Sequence, residues 1–173
     1  IFSVLYPNVP LNIINAGISG DHAANAQRRV KRDVLRFSPD LVVVSFGLND
    51  VTKDIEKIGE YTEALHSIFT QLKEKKIEVI FMTPPLMAHQ VDCELTDKEL
   101  VRIAEDLSRL QNSGVFDQYV QAAKEVCAKD GIVVCDCYAK WKLLRNCGVN
   151  TDRLLCNRLN HPSREMHWLF AAS

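Results

Sequence analysis

The sequence lacks an excess of charge of one sign, because 21 basic and 22 acidic side chains leave a net charge of −1. Such a chain offers no electrostatic case for binding nucleic acid or an anionic membrane surface. Long apolar runs are absent as well, and the longest fall far short of the ~20 residues that a transmembrane helix needs. With 47% hydrophobic and 25% charged residues, the composition is that of one globular domain with a sizeable core.

The usual patterns for metal binding and disulfide frameworks are also missing. The six cysteines include no C-x-x-C pair, and no histidine stands at ligand spacing from any of them. We therefore expect free, mostly buried thiols and no metal or organic cofactor. Unpaired thiols slightly favour the cytoplasm, although secretion stays open. A bridge between Cys147 and Cys156 is the best oxidised alternative, and Cys135 and Cys137 are expected to point to one face of a strand.

Apolar runs alternate with segments of helical periodicity along the chain. Strands are predicted at residues 11–15, 41–46, 78–82 and 132–137, and the apolar run at 41–46 is typical of a sheet covered on both faces. Helices are predicted between them, with N-terminal signals at Asp21, Asp54 and Thr96, and a last helix is expected from Pro162 onward. Alternating strands and helices predict an α/β fold, here a three-layer α/β/α sandwich with a parallel, flavodoxin-like sheet.

Two polar loops follow the first two predicted strands. One contains Gly17, in Asn-Ala-Gly-Ile-Ser-Gly-Asp, and the other contains Asn49, in Gly-Leu-Asn-Asp. Ligands of open parallel sheets bind at the carboxyl ends of the strands, where both loops are expected. A late histidine, His161, precedes a proline. A glycine N–H, an asparagine amide and a histidine are the groups needed to stabilise an oxyanion and to move a proton.

These residues resemble the SGNH/GDSL hydrolase family, which is named for a Ser, a Gly, an Asn and a His in four separate blocks. Gly17, Asn49 and His161 match the last three blocks, and the resemblance spans roughly residues 11 to 173. It implies an esterase or acylhydrolase that acts on lipids, acetylated sugars or small esters. In that family pattern His161 would be the base, and the Gly17 and Asn49 N–H groups would hold the oxyanion.

The Gly-Asp-Ser block that carries the nucleophile of this family does not occur in the sequence. We expect a single domain over residues 1–173 that is truncated at its N-terminus, with the serine outside the chain, and truncated at its C-terminus too. Ser3 lies too close to the glycine block, and Ser19 stands in G-x-S-G, one residue short of the G-x-S-x-G nucleophile elbow. The alternative is a non-catalytic module that binds a ligand or a carbohydrate.

The acidic partner of the histidine is a further departure from the family pattern. The family commonly has Asp three residues before its His, where this chain has Arg158, and a guanidinium cannot accept a hydrogen bond. The ring of His161 is then oriented by Asn157 through its amide oxygen, by a backbone carbonyl, or by Asp152. Because a cation would oppose the imidazolium, we expect Arg158 to face solvent or a substrate group. Asp50 is expected to bind the backbone.

Overall fold

The computed structural model describes residues 7–53 and 55–173, and its centre is a parallel sheet. The sheet contains β1 (Leu41–Val44), β2 (Glu78–Met82) and β3 (Val133–Cys135), which lie side by side in that order. Val44 pairs with Phe81, and Phe81 pairs with Val134. The α/β class and the parallel sheet predicted from the sequence are confirmed.

One described helix precedes the first strand, and the others connect the strands or follow the last one. They are α1 (Ala23–Asp33), α2 (Ile58–Lys73), α3 (Lys98–Asn112), α4 (Val115–Asp130), α5 (Cys137–Asn146) and α6 (His167–Ala171). Short 3-10 turns occur at Leu35–Phe37, Val51–Lys53, Ile55–Lys57 and Thr151–Leu154. None of the described helices is long and apolar enough to cross a bilayer.

The two faces of the sheet differ in their cover. Successive side chains of a strand alternate between faces, so Val44, Val79 and Phe81 project to the same face. All three are buried there. Helix α2 packs there, and its Phe69 meets Phe81 edge-on with ring centroids 6.1 Å apart. On the opposite face the exposed side chains are Leu41, Val43 and Val133, at 39%, 49% and 66%.

The strand predicted at residues 11–15 is the main error of the sequence interpretation. No ladder in the described part of the chain includes these residues, and Ile13 is 79% exposed. An apolar run becomes a strand only when a neighbouring strand receives its backbone groups, and β1 pairs here with β2. The end of the segment is nevertheless held, since Arg29 donates to the carbonyl of Ala16 at 2.7 Å.

Two helix starts differ from the sequence prediction. Helix α1 begins at Ala23, and Asp21 does not cap it. Helix α3 is capped by Asp97 rather than by Thr96, and the Asp97 carboxylate accepts hydrogen bonds from the N–H groups of Glu99 and Leu100. Asp21 pairs instead with Arg29, whereas Asp97 stands one residue closer to the first turn of α3 than Thr96 and accepts two of its free N–H groups.

The last helix also starts later than predicted, at His167. Pro162 is not in its first turn, because it pairs with Leu155 in an isolated antiparallel bridge. The remaining cap prediction concerned Asp54, which lies outside the described residues.

Candidate active site

The asparagine loop follows β1 directly, and its shape requires a glycine. Gly47 has φ of 130°, and an added Cβ atom would lie 3.2 Å from the hydroxyl oxygen of Tyr61. Tyr61 in turn donates a hydrogen bond to the carbonyl of Phe46 at 3.1 Å. The backbone conformation strains any side chain at this position, and the closely approaching Tyr61 would have to give by a few tenths of an ångström.

Asp50 ties the asparagine loop to the start of α1. Its carboxylate accepts hydrogen bonds from the N–H of Ala23 at 2.9 Å and from the N–H of Gly47 at 3.0 Å. Burial raises the pKa of Asp50, although these two hydrogen bonds oppose the shift. The side chain of His22 provides no cap for α1, so Asp50 satisfies the first helical N–H from 27 residues away. Asp50 therefore has the backbone-binding role expected for it.

Asn49 lies beside the last residue of the glycine block. Its Nδ2 atom donates to the carbonyl of Asp21 at 3.0 Å. A primary amide has two N–H donors, and this bond uses one of them. In the glycine block, the N–H of Gly17 donates to the side-chain oxygen of Asn15 at 2.9 Å. The structure thus joins the two loops, with the Gly17 donor engaged inside its own loop.

Arg29 holds the glycine loop from helix α1, and sequence reasoning did not identify it. Its guanidinium forms an ion pair with Asp21 at 2.6 Å, and both side chains are largely buried. Burial alone would raise the pKa of Asp21, but hydrogen bonds from Arg29 and from the N–H of His22 outweigh it and lower the pKa. The usable signal was an acidic loop residue followed by a basic residue two helical turns into the next helix.

His161 lies on a short loop that Asn157 organises. The side-chain oxygen of Asn157 accepts hydrogen bonds from the N–H groups of Leu159, Asn160 and His161, at 3.1, 3.0 and 2.9 Å. This oxygen is therefore directed to the backbone and not to the ring of His161, which corrects the first of the three orientations considered. Asn157 fixes the position of the histidine through its main chain, and the ring itself is exposed.

Asp152 has a different histidine partner. Its carboxylate lies 3.3 Å from Nδ1 of His89 and accepts the His89 N–H at 3.1 Å. Burial alone would raise the pKa of Asp152, but the hydrogen bonds from His89 outweigh it and lower the pKa. The side chains of Asn157 and Asp152 are thus both engaged with partners other than the ring of His161. His89 had no supporting motif in the sequence.

Arg158 was expected to face solvent or a substrate group, and this prediction is wrong. Its guanidinium points to two acidic side chains. Arg158 has φ of 58°, and its guanidinium lies 3.5 Å from both Asp92 and Glu94. These carboxylates belong to the loop that precedes α3. Their negative charge neutralises the cation that stands three residues before His161.

A buried loop after β2 supports the histidine loop. The N–H of Met87 donates to the side chain of Gln111 at 2.9 Å, and the N–H of Ala88 donates to the carbonyl of Leu159 at 2.7 Å. The histidine loop is therefore attached beyond the carboxyl end of β2, as the asparagine loop is beyond the carboxyl end of β1. Both loops belong to the sheet edge at which ligands of parallel sheets bind.

The described residues contain no cluster of three or more His, Cys, Asp or Glu side chains that could hold a metal ion. All six cysteines are free, so Cys147 and Cys156 are not bridged. The loops at this edge carry amide, imidazole and carboxylate groups, the types of group used in proton transfer and oxyanion binding.

Known proteins resemble this chain in sequence and in fold. An acetylxylan esterase of Geobacillus stearothermophilus is 28% identical over 93 residues, which cover 49% of this chain and 42% of the relative. The chain thus spans less than half the length of that relative. A crystal structure of Axe2, an acetylxylan esterase from the same organism, matches 99% of this chain and 74% of its own, with a TM-score of 0.74 and 23% identity.

A second solved structure, the acetyl xylan esterase AlAXEase, matches 93% of this chain and 77% of its own, with a TM-score of 0.71 and 22% identity. The structures of Axe2 include catalytic mutants in which a serine, an aspartate and a histidine are each replaced. At these identities the structural matches establish the fold. The model of the GDSL-like lipase/acylhydrolase family matches residues 3–169, and the chain therefore belongs to this family.

Proposed function

We propose that the protein carrying this sequence hydrolyses carboxylic esters and removes acetyl groups from carbohydrate. The observation that carries the proposal is the bond between Asn49 and the carbonyl of Asp21, which brings an amide donor to the glycine loop at the ligand-binding edge. Family membership and the acetylxylan esterase relatives support the same reaction class.

In the proposed mechanism, a serine outside these 173 residues attacks the acyl carbon while His161 takes its proton. The carbonyl oxygen becomes an oxyanion, to which Asn49 offers its second N–H. The N–H of Gly17 leaves its hydrogen bond to the side-chain oxygen of Asn15 and donates to the oxyanion instead. His161 then gives the proton to the departing sugar oxygen, which leaves as a hydroxyl, and water releases acetate from the serine by the same two steps.

The remaining residues act by position. Asn157 sets the backbone at His161 and a carbonyl orients the ring, while Asp50 and Arg29 hold the asparagine and glycine loops. No cofactor is needed for these steps.

The test measures hydrolysis of an acetylated xylooligosaccharide by a form that includes the proposed upstream serine. Asn49→Ala should lower kcat by about 10²- to 10³-fold with little change in KM, because an oxyanion donor acts when charge develops. Asn146→Ala, at the exposed end of α5, is the matched control and should keep full turnover. Turnover unchanged by Asn49→Ala would remove the oxyanion assignment.

A second candidate is a module that binds acetylated carbohydrate without cleaving it. The position three residues before His161 favours this candidate, because Arg158 is paired with Asp92 and Glu94 and cannot orient the ring. Calorimetric binding of the xylooligosaccharide without release of acetate would select it.

A further inference from the structure

Two thiols meet at the junction between β3 and α5, away from the groups used in the proposed hydrolysis. Cys135 is the last residue of β3 and is half-buried, and Cys137 is the first residue of α5 and is fully buried. Their sulfur atoms lie 3.7 Å apart. This separation is van der Waals contact, so the two sulfurs can bond after small side-chain rotations.

The backbone between the two cysteines favours their approach. Asp136 has φ of −84° and ψ of 74°, close to the values of an inverse γ-turn. In an extended strand, residues i and i+2 are about 6.6 Å apart, at the upper limit of the Cα separation that a disulfide accepts. A tight turn at the central residue shortens this separation.

Asp136 is held firmly in this turn. Its carboxylate accepts hydrogen bonds from the N–H of Ala139 at 3.1 Å and from the hydroxyl of Thr83 at 3.2 Å, and it pairs with Lys124 at 2.5 Å. Burial alone would raise the pKa of Asp136, but these partners outweigh it and lower the pKa. The turn is thus fixed by a charged group at three points, and the sulfurs need little further ordering to react.

We propose that Cys135 and Cys137 form a dithiol site that is oxidised reversibly to a disulfide by low-molecular-weight disulfides of the glutathione type. The thiolate of Cys135 attacks glutathione disulfide and displaces one glutathione. Cys137 then loses its proton and attacks the Cys135 sulfur, which releases the second glutathione. Two protein thiols become one disulfide, and one glutathione disulfide becomes two glutathione thiols that receive both protons.

Exposure sets the order of the two steps. Cys135 is partly exposed and is the one of the two that a small disulfide reaches first, whereas Cys137 is fully buried. Burial, together with the adjacent Cys135, raises the pKa of Cys137 to about 12. Closure by Cys137 is therefore the slow step at neutral pH, and its rate should rise about tenfold for each unit of pH while the thiolate remains a minor species.

The test uses the full chain with the exposed cysteines, Cys93, Cys147 and Cys156, replaced by serine. After incubation with glutathione disulfide, alkylation and mass spectrometry should show two fewer free thiols, a mass lower by about 2 Da, and a peptide linking Cys135 to Cys137. Dithiothreitol should restore both thiols. The same background carrying Cys137→Ala should instead accumulate a single glutathione adduct at Cys135.

The matched control replaces Cys127, which is also fully buried, by alanine and should leave formation of the Cys135–Cys137 bridge unchanged. A persistent glutathione adduct at Cys135 without closure, at pH 7 and at higher pH, would overturn the proposal. A bridge from either cysteine to Cys127 would overturn it as well. Circular dichroism of each variant establishes that the fold is retained.

Discussion

Replacing Asp50 by alanine removes the connection between the asparagine loop and helix α1. The carboxylate accepts two backbone hydrogen bonds, and both donors belong to residues that are themselves buried. Hydrogen bonds to a charged group contribute ~1.5–3 kcal/mol each, and an orphaned buried donor costs a similar amount. The gross loss is therefore ~3–6 kcal/mol.

Part of this loss is offset, because burial of the ionised carboxylate is itself unfavourable, as its raised pKa indicates. We expect a net loss of ~3 kcal/mol in the free energy of unfolding, or roughly 6–12 °C in Tm for a chain of this size. A group with a raised native pKa contributes most at low pH and loses that contribution as the pH rises through the native pKa. The difference in the free energy of unfolding between wild type and Asp50→Ala should therefore increase as the pH is lowered from 7 to the ordinary carboxyl range at about 4.

Urea unfolding followed by circular dichroism measures this difference. Asp106→Ala is the control, since Asp106 makes an exposed ion pair with Arg109 and its loss should cost less than ~0.5 kcal/mol. Hydrogen exchange should show faster exchange of the amides of Ala23 and Gly47 in Asp50→Ala. A loss below ~1 kcal/mol with unchanged exchange at both amides would refute the role assigned to Asp50.

Three further predictions concern single features. Gly47→Ala should destabilise the protein by ~2–3 kcal/mol, and Gly20→Ala by only ~1 kcal/mol. Both glycines have positive φ, but a Cβ at Gly47 also meets Tyr61, whereas a Cβ at Gly20 has open space. Equal losses of Tm in the two variants would contradict this. The native pKa of Asp152 lies below its ordinary 3.8, so its contribution to stability is lost as the pH falls through that native value. Asp152→Asn should lose less stability on acidification than wild type, and parallel urea titrations at low pH would count against the pairing with His89. Finally, these 173 residues alone should not react with a fluorophosphonate probe, and stoichiometric labelling of Ser19 would disprove that prediction.

The sequence predicted the parallel sheet because apolar strand segments alternate with helical segments along the chain. Residues 78–82 form β2 as predicted, because Val79 and Phe81 alternate onto the face that α2 covers, while the charged Glu78 is exposed at the start of the strand. Residues 11–15 have a similar pattern but no ladder, because pairing depends on a neighbouring strand and not on the pattern itself.

The contacts within the candidate site were less predictable than its position. The loops of Gly17 and Asn49 were expected at one sheet edge, and the bond from Asn49 to Asp21 joins them. The partners of Asp152 and Arg158 could not be read from local sequence, because His89 and Asp92 are more than 60 residues away along the chain. Such pairs depend on the tertiary fold, which places the loop after β2 against the histidine loop.

The central claim is that His161 is the base of an ester hydrolase. The most direct test compares His161→Ala with Arg158→Ala in a form that includes the proposed upstream serine, by measuring kcat for release of acetate. Arg158 serves as the control because it lies on the same loop and pairs with Asp92 and Glu94. The account predicts that His161→Ala loses most turnover, since an unassisted serine is a poor nucleophile, while Arg158→Ala stays within a few fold of wild type. Turnover retained by His161→Ala, or lost equally in both variants, would contradict it.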